Sequence, residues 1–274
     1  MAFEVETVKP GHFDPTTYGP HISRDRASYR GVAVRDLVTD AYGVNLTQIA
    51  GPDWINNERY DIDARMPDGT TKDEVTRMLQ ELLKRRFALA LHLEKRETTV
   101  YALVVDKQGA KLKSSASNSP EPDPDAPLKP EERYVGEGEN RYRQTTNKDG
   151  SITTNLGKDG TLTTKYDSKT SMEHWQRSSI TMDAFTGWLV GIIQAAGGGL
   201  WTVVDRTGIK GNYQVVIDYQ LGPPPAADPG PVPFESLSDG LLSKSLKALG
   251  LKMEVRKEPI SIYVIDHVEK PSPN

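Results

Sequence analysis

The sequence contains no cysteine among its 274 residues. This absence excludes disulfide bonds, thiolate catalysis and cysteine-ligated zinc or iron–sulfur sites, but it does not identify a cellular compartment. Hydrophobic residues make up only 36% of the chain. The longest apolar stretch, 187–204, is interrupted by Gln194 and three consecutive glycines, and it falls short of the roughly 20 apolar residues of a spanning helix. We therefore expect a chain that does not cross a membrane.

An excess of positive charge is also missing. The formal net charge is -4, and no cluster of lysine and arginine alternates with aromatic residues, as in many nucleic-acid-binding surfaces. The densest basic spot, Lys84–Arg86, ends a helical pattern, where cations complement the helix dipole. We expect no nucleic-acid partner.

Motifs of common enzymes are missing as well, including G-x-S-x-G, H-E-x-x-H, the P-loop and G-x-G-x-x-G after a strand. The five histidines are scattered. His12 and His21 flank Asp14 and leave metal binding open, although loop histidines at this spacing are usually solvated. We predict no cofactor and no metal site. The sequence favours binding over catalysis.

Two segments share the same spacing of apolar residues. "LEKRETTVYALVVDKQGAKL" and the closing "VRKEPISIYVIDHVEKPSPN" align so that Arg96 pairs with Arg256. Period-two alternation occurs twice in each, which predicts a β-hairpin in both. A helix precedes each hairpin: "TTKDEVTRMLQELLKRRF" opens with a capping box at Thr71 and Glu74, and "SLSDGLLSKSLKALG" ends at Gly250.

Further upstream, "WINNERYDIDARM" matches "TGIKGNYQVVIDYQL", and "VAVRDLVTDAY" matches "ITMDAFTGWLV". The sequence therefore predicts an α+β fold of two internally duplicated lobes, each built as helix, strand, helix and hairpin. The predicted domains are an N-terminal lobe with an extended arm at 1–112, an insert at 113–170, and a C-terminal lobe at 171–274. The arm "FEVETVKP" is predicted to cover the edge of the last strand, "ISIYVIDHV".

The insert has two parts with different composition. "SSASNSPEPDPDAPLKPEE" is rich in serine, proline and acids, which predicts an exposed linker. "KDGSITTN" and "KDGTLTTK" each place an Asp-Gly turn before an alternating strand, which predicts a protruding β-ribbon. A calcium loop at Asp149 and Asp159 is an alternative, but the D-x-D-x-D-G spacing is missing. A second proline-rich stretch, "GPPPAADPGPVP", predicts a surface loop.

Two of the candidate binding residues lie at comparable junctions that precede strands. Two tryptophans in "GPDWI" and "GGGLWTVVD" either cap the core or line a groove between the lobes. The pair Asp205 and Arg206 fits a local ion pair or turn, and His267 has no serine or metal partner in its pattern. The full candidate set is Trp54, Arg59, Trp201, Asp205, Arg206 and His267.

Several stretches in combination resemble a known family: "FEVETVKP", "DAYGV" followed by "GPDWINNERYDIDA", "MLQELLKRRFALALH" with "VYALVV", "VVDRTGIKGNYQ" and the ending "LGLKMEVRKEPISIYVIDHVEKPSPN". They resemble the large family of uncharacterised secreted proteins expanded in Acidobacteria, a domain of unknown function, over nearly the whole chain apart from the insert. The resemblance implies export to the periplasm or beyond with removal of a signal peptide. In some relatives it implies fusion to membrane zinc metallopeptidases of the β-lactam-sensor type.

The predicted repeat unit also resembles, by pattern alone, the short N-terminal domain of secretins and TonB-dependent receptors, a binding and signalling module. We therefore expect an exported binding module that recognises a peptide, glycan or protein partner. The alternative is an extracytoplasmic hydrolase acting on polysaccharide or cell-wall material, with acids such as Asp53, Glu58 or Asp205 in a cleft between the lobes.

Overall fold

A computed structural model describes residues 2–14, 17–115, 127–136, 141–195, 201–220 and 240–272. The chain divides into two compact units. Unit 1 comprises Met1–Thr98, Gly136–Arg141 and Pro259–Asn274, and unit 2 comprises Thr99–Val135 and Tyr142–Glu258. The domain boundaries predicted above, 1–112, 113–170 and 171–274, stay a prediction.

Unit 1 contains a four-stranded antiparallel sheet with the order β1-β5-β3-β2. The successive elements of unit 1 up to residue 87 are β1 (Val5–Pro10), β2 (Gly19–Ile22), β3 (Arg26–Ala33), α1 (Val34–Tyr42), a 3-10 helix (Leu46–Gln48), β4 (Ile49–Ala50), α2 (Trp54–Asn57), β5 (Arg59–Arg65) and α3 (Lys72–Phe87). Every second residue of β5 is buried, so one face of this sheet packs into a core. The buried faces of α1 and α3 belong to the same core.

The start of α3 was predicted correctly. Thr71 lies at the N-cap, where its hydroxyl accepts a hydrogen bond from the backbone N–H of Glu74. The Glu74 carboxylate in turn accepts from the backbone N–H of Thr71 at 2.8 Å. This capping box satisfies two backbone donors that the first helical turn leaves without partners.

Each of the two matched segments forms one long strand, which follows the helix predicted before it. These are β6 (Ala90–Val105) and β15 (Leu251–His267). The predicted hairpins are therefore wrong. The centres of both segments, "EKRETT" and "VRKEPI", lack the glycine-containing pairs that tight hairpin turns need, and their polar side chains are accommodated on one extended strand.

Each long strand belongs partly to both units. Residues 90–98 and 259–267 lie in unit 1, whereas 99–105 and 251–258 lie in unit 2. In unit 1 the strand order is β6-β15-β4, with β4 parallel to β15 at Tyr263. In unit 2 the order is β13-β6-β15, with β13 parallel to β6 at Tyr101–Leu103.

Unit 2 also contains a seven-stranded antiparallel sheet with the order β7-β14-β12-β11-β10-β9-β8. Its elements are β7 (Lys113–Ser114), β8 (Glu132–Val135), β9 (Tyr142–Thr146), β10 (Ile152–Asn155), a 3-10 helix (Gly157–Asp159), β11 (Thr161–Asp167), β12 (Met172–Ile180), α4 (Met182–Ala195), β13 (Val203–Asp205), β14 (Tyr213–Gln220) and α5 (Leu241–Ala248). The Asp-Gly segments do form strands. They do not protrude as a ribbon, because β11 pairs with β12 along Leu162–Asp167 and continues the sheet.

The predicted fold class, α+β with two duplicated helix-strand-helix-hairpin lobes, is wrong. The described residues are predominantly β and form three sheets, and the seven-stranded sheet of unit 2 makes the two units unequal. Threonine-rich strands such as β10 have few apolar residues, so hydrophobic patterning assigned them to an insert. Cross-strand pairing of their threonines, for example Thr153 with Thr163 at 3.0 Å, joins them to the sheet instead.

The prediction for the N-terminal arm is also wrong. Its strand β1 pairs with β5, Val5 opposite Arg65 and Pro10 opposite Tyr60, while β4 and β6 flank β15 in unit 1. Of the predicted linker at 114–132, residues 116–126 lie outside the described residues, and so does the whole second proline-rich stretch at 222–233. Among the helices that the structure describes, none is long and apolar enough to cross a membrane.

Candidate functional site

A cavity of about 770 Å³ opens in unit 1 beside the C-terminal end of α1. We call it the α1–α3 groove. Its walls come from β2, β3, α1, the turn after α1, the first half of α3, and β15. The lining residues are Pro20, Ile22, Tyr29, Thr39, Asp40, Ala41, Tyr42, Gly43, Val44, Asn45, Lys72, Val75, Thr76, Leu79, Gln80 and Tyr263. The volume is typical of ligand pockets, which hold on the order of 300–1,000 Å³.

The groove exists because α1 stops at Gly43. This glycine has φ 63° and ψ 39°, a left-handed conformation that ends a helix at little cost for glycine. Its N–H bonds to the carbonyl of Thr39. The side-chain amide of Gln80 on α3 donates to the carbonyl of Ala41 at 2.7 Å. The end of α1 is therefore fixed against α3.

Three tyrosines give the groove its aromatic character. Tyr29 is buried, and the rings of Tyr42 and Tyr263 lie with centroids 5.3 Å apart at 47°. Burial is the main cause that raises the pKa of Tyr29 and of Tyr42, so both phenols stay protonated at neutral pH. Apolar side chains, including Val75 and Leu79, complete the wall.

Asp40 is the carboxylate in this lining. It lies in the last turn of α1, where the partial negative charge of the helix end disfavours an anion. Desolvation raises its pKa to about 6, Asp36 one turn earlier adds to this, and Lys72 opposes it. Water on the exposed side of the Asp40 carboxylate limits the shift. Within the described part of the chain, no hydrogen bond or ion pair engages this carboxylate.

The two predicted tryptophans lie outside the α1–α3 groove. In unit 1, Trp54 is half-buried against the core, and the Lys270 ammonium lies 5.8 Å from the centre of its ring while also pairing with Glu58. In unit 2, Trp201 is buried and stacks on Tyr101 at 3.9 Å between ring centroids. Both contacts are of the kind that caps a core. A binding role for either residue stays a prediction.

Arg59 contacts the segment that connects β1 to β2 in unit 1. Its guanidinium bonds to Asp36 at 3.0 Å and lies 5.7 Å and 6.0 Å from the ring centres of Phe13 and Tyr18. Cation–π contacts of this kind hold aromatic side chains in place. Asp36 also accepts the backbone N–H of Ala33 at 2.8 Å, which positions it at the start of α1.

The "VVDRTG" pair forms a turn with internal bonds. Asp205 accepts the backbone N–H of Thr207 at 2.8 Å and its hydroxyl at 2.7 Å. Arg206 pairs with Glu258 at 2.6 Å. Asp205 is therefore engaged within its own turn, as expected for a capped turn at the end of a strand, whereas the partner of Arg206 lies on β15.

The remaining candidates are dispersed. His267 is exposed and lies 2.8 Å from Glu269, and Asp53 is exposed at the start of α2. His21 Nε2 lies 2.7 Å from a backbone carbonyl oxygen, and His12 is exposed. In the ranges that the structure describes, no group of three or more histidines and acids could hold a metal ion. The site residues predicted from sequence are divided between the units: Trp54, Arg59 and His267 lie in unit 1, and Trp201, Asp205 and Arg206 lie in unit 2.

Sequence reasoning missed the residues of the groove. Asp40 and Tyr42 fall within "DAYGV", which contributed to the family resemblance but was not identified as a site. One signal was present: an acid in the last turn of a helix opposes the helix dipole, and such a placement needs a reason. Tyr263 could not have been found, because its position beside α1 depends on the path of β15.

Comparison with known protein families gives one match. The family model described as "Protein of unknown function (DUF3738)" matches residues 35–268. No curated protein and no solved structure matches the chain. The matched range begins in α1 and contains most of the groove, including Asp40, Lys72 and Tyr263.

Proposed function

The chain belongs to the family described as protein of unknown function (DUF3738), and on that premise we propose that unit 1 is a binding module whose α1–α3 groove holds a segment of a peptide or protein partner. The observation that carries the proposal is the composition of the groove. A carboxylate, Asp40, lines the same cavity of ligand size as three tyrosines and an apolar wall.

This composition selects for a ligand with two chemical features. Apolar side chains from Ile22, Val75 and Leu79 favour an apolar group, which gains by leaving water. Asp40 and the negative end of the α1 dipole favour a cation such as an ammonium or guanidinium group. Tyrosine faces attract the same cation. A peptide with a lysine or arginine next to an apolar residue supplies both features.

The hydrolase alternative has less support. Retaining and inverting glycosidases need two carboxyl groups facing one bond, about 5 to 10 Å apart. Asp40 is the carboxylate among the described lining residues, and Asp53, Glu58 and Asp205 do not line the groove. Glu58 is instead paired with Lys270, which lowers the pKa of Glu58. The groove therefore favours recognition over acid–base catalysis.

The proposal includes export of the protein to the periplasm or beyond. It is supported by the family resemblance and is compatible with a cysteine-free chain, which needs no disulfide formation after transport. Fractionation of the native host, followed by immunodetection in cytoplasmic and periplasmic extracts, tests this part. Protein confined to the cytoplasm would contradict it.

Calorimetric titration of the full chain with short peptides tests the groove. The set contains one central leucine flanked by lysines, the same peptide with glutamates, and the same peptide with alanines. We expect the lysine peptide to bind at least about tenfold more tightly than the glutamate peptide, because a single close charge pair contributes on this order. Equal affinities, or no binding by any of the three, would contradict the proposal.

Two substitutions connect that affinity to the groove. Asp40→Asn should reduce the preference for lysine over glutamate to near unity, since it removes the carboxylate with little change in volume. Asp53→Asn is the matched control, because Asp53 is also an exposed acid of unit 1 but lies outside the groove. Loss of the preference in both variants would show that the net charge of the protein, and not the groove, selects the peptide.

A further inference from the structure

A second cavity of unit 1, of about 400 Å³, lies on the four-stranded sheet. We call it the arginine cleft. Among its lining residues are Val5 and Thr7 of β1, Arg26 and Arg30 of β3, and Asp63 and Arg65 of β5. None of these six is among the buried residues of the unit 1 core, in contrast to their strand neighbours such as Val8 and Ile62.

The strand register places two arginines side by side. Arg26 of β3 is directly opposite Arg65 of β5. Residues directly opposite on antiparallel strands point to the same face, with Cβ atoms about 4.5–5.5 Å apart, and like charges in such pairs are destabilising. An arginine pair in this position therefore has an electrostatic cost unless an anion lies between the two guanidinium groups.

The carboxylate of the cleft does not offset this charge, because it is already engaged. Asp63 accepts a hydrogen bond from Arg30 at 2.7 Å, and Arg30 also donates to the carbonyl of Ile62 at 3.1 Å. For Arg26 and Arg65, no side-chain hydrogen bond or ion pair occurs among the residues that the structure describes. Thr7 adds a hydroxyl to the same lining.

We propose that Arg26 and Arg65, with the Thr7 hydroxyl, bind a tetrahedral oxyanion, phosphate or sulfate, in the arginine cleft. Each guanidinium presents parallel N–H donors that match two oxygens of such an anion. The bound anion converts the repulsion between the two arginines into attraction of both to a common partner. This site is independent of the α1–α3 groove and of its proposed function.

The site is tested on the full chain by calorimetry and thermal unfolding with inorganic phosphate and with sulfate, against chloride at matched ionic strength. We expect saturable binding and a melting temperature higher by a few degrees at saturation. Arg26→Gln and Arg65→Gln should each weaken phosphate binding at least about tenfold, as expected for loss of one charged, bidentate partner. Lys9→Gln removes one positive charge from β1 outside the cleft and should retain the affinity.

The Lys9→Gln control also distinguishes binding in the cleft from the general stabilisation of proteins by sulfate and phosphate, which needs no binding site. An equal response in the wild type, the two arginine variants and Lys9→Gln would overturn the proposal. If a glutamine variant fails to fold, Arg26→Lys provides the second measurement. It keeps the charge but loses the paired N–H geometry, so its phosphate affinity should fall while its fold is retained, and an unchanged affinity contradicts the site.

Glucose 6-phosphate distinguishes two sources of the anion. Affinity equal to or higher than that of inorganic phosphate would indicate an esterified group on a larger molecule. Much weaker affinity would indicate the free ion, since an ester substituent would then clash with the cleft. Absence of binding by inorganic phosphate, sulfate and the ester alike contradicts the site.

Discussion

The two units share a local pattern of strand pairing, in which a register shift precedes a helix, but they differ in the side chains around it. In unit 1, β3 and β5 pair with a register shift between Tyr29 and Val32, and α1 follows. In unit 2, β12 and β14 pair with a register shift between Arg177 and Ile180, and α4 follows. A bulge at this point increases the local twist of a strand. The helix that follows therefore leaves each sheet from a comparable place.

The units differ in the side chains at matched positions of this strand and helix. Unit 2 stacks Trp188 of α4 on Trp175 of β12. At equal distances along the chain from the register shift, unit 1 has Asp40 and Ala27. A carboxylate and a methyl group fill much less volume than two indoles. Unit 2 uses this region for packing, and unit 1 has a groove beside α1.

The largest expected effect concerns the stacked tryptophans of unit 2. Trp175 is only 6% exposed, so Trp175→Ala should leave a large cavity and destabilise the protein by about 3–5 kcal/mol. Chemical denaturation followed by circular dichroism measures it. Tyr166→Ala on the neighbouring strand is the control, because Tyr166 is 53% exposed and its loss should cost within about 0.5 kcal/mol. A cost below about 1 kcal/mol for Trp175→Ala would mean that the indole pair is not structural.

An intermediate effect concerns two glycines at equal distances along the chain from the register shifts, Gly43 just after α1 and Gly191 inside α4. Gly43 ends α1 with a positive φ, whereas Gly191 lies within α4. Gly43→Ala should destabilise the protein by about 1 kcal/mol or more because alanine resists the left-handed region. Gly191→Ala should instead stabilise it by about 0.5–1 kcal/mol, since glycine weakens a helix interior and the added methyl meets no atom within 4 Å. Thermal unfolding of both variants gives the sign of each change in stability. Changes of the same sign would contradict the difference between the two glycines.

The smallest expected effect is the pH dependence that Asp40 gives to unit 1. Its pKa rises from 3.8 to about 6 on folding, so the folded state retains this proton more firmly than the unfolded chain. Stability is then fullest below about pH 4 and falls as pH rises to about 6. Asp40→Asn removes this decrease in stability, because asparagine does not ionise. The variant should match the wild type near pH 4 and exceed it at pH 7, by less than about 1 kcal/mol because solvent screens the group.

Unfolding curves at pH 4 and pH 7 for the wild type and Asp40→Asn measure this difference. Asp36, Lys72 and Tyr29 are the ionisable groups that interact with Asp40, and they remain in the variant. A variant that is less stable than the wild type at pH 7 would show that the Asp40 carboxylate has a stabilising partner.

Local signals in the sequence predicted several elements well. The Thr71 capping box and the apolar face of α3 depend on residues within one helix, so local chemistry defines them. The strand pattern of "KDGSITTN" and "KDGTLTTK" was also read correctly as turn and strand. Their place inside a sheet was not, because the pairing partner of β11 lies on β12 and no local pattern identifies a partner.

Tertiary structure decided the two features on which the proposals rest. The groove combines α1, α3 and Tyr263, which is distant in sequence and reaches the site only through β15. The arginine cleft depends on the register that puts Arg26 opposite Arg65, and a shift of one residue would move either side chain to the other face.

The sequence by itself determined the membership of the chain in a family, the absence of thiol chemistry, and the positions of its amphipathic helices, because composition and short-range periodicity are local properties. Only the tertiary structure decided that the two long matched segments are single strands, that the threonine-rich segments extend a sheet, and that Asp40 shares a cavity lining with three tyrosines. Strand pairing and side-chain neighbours are non-local, and their free energy depends on which distant segments meet.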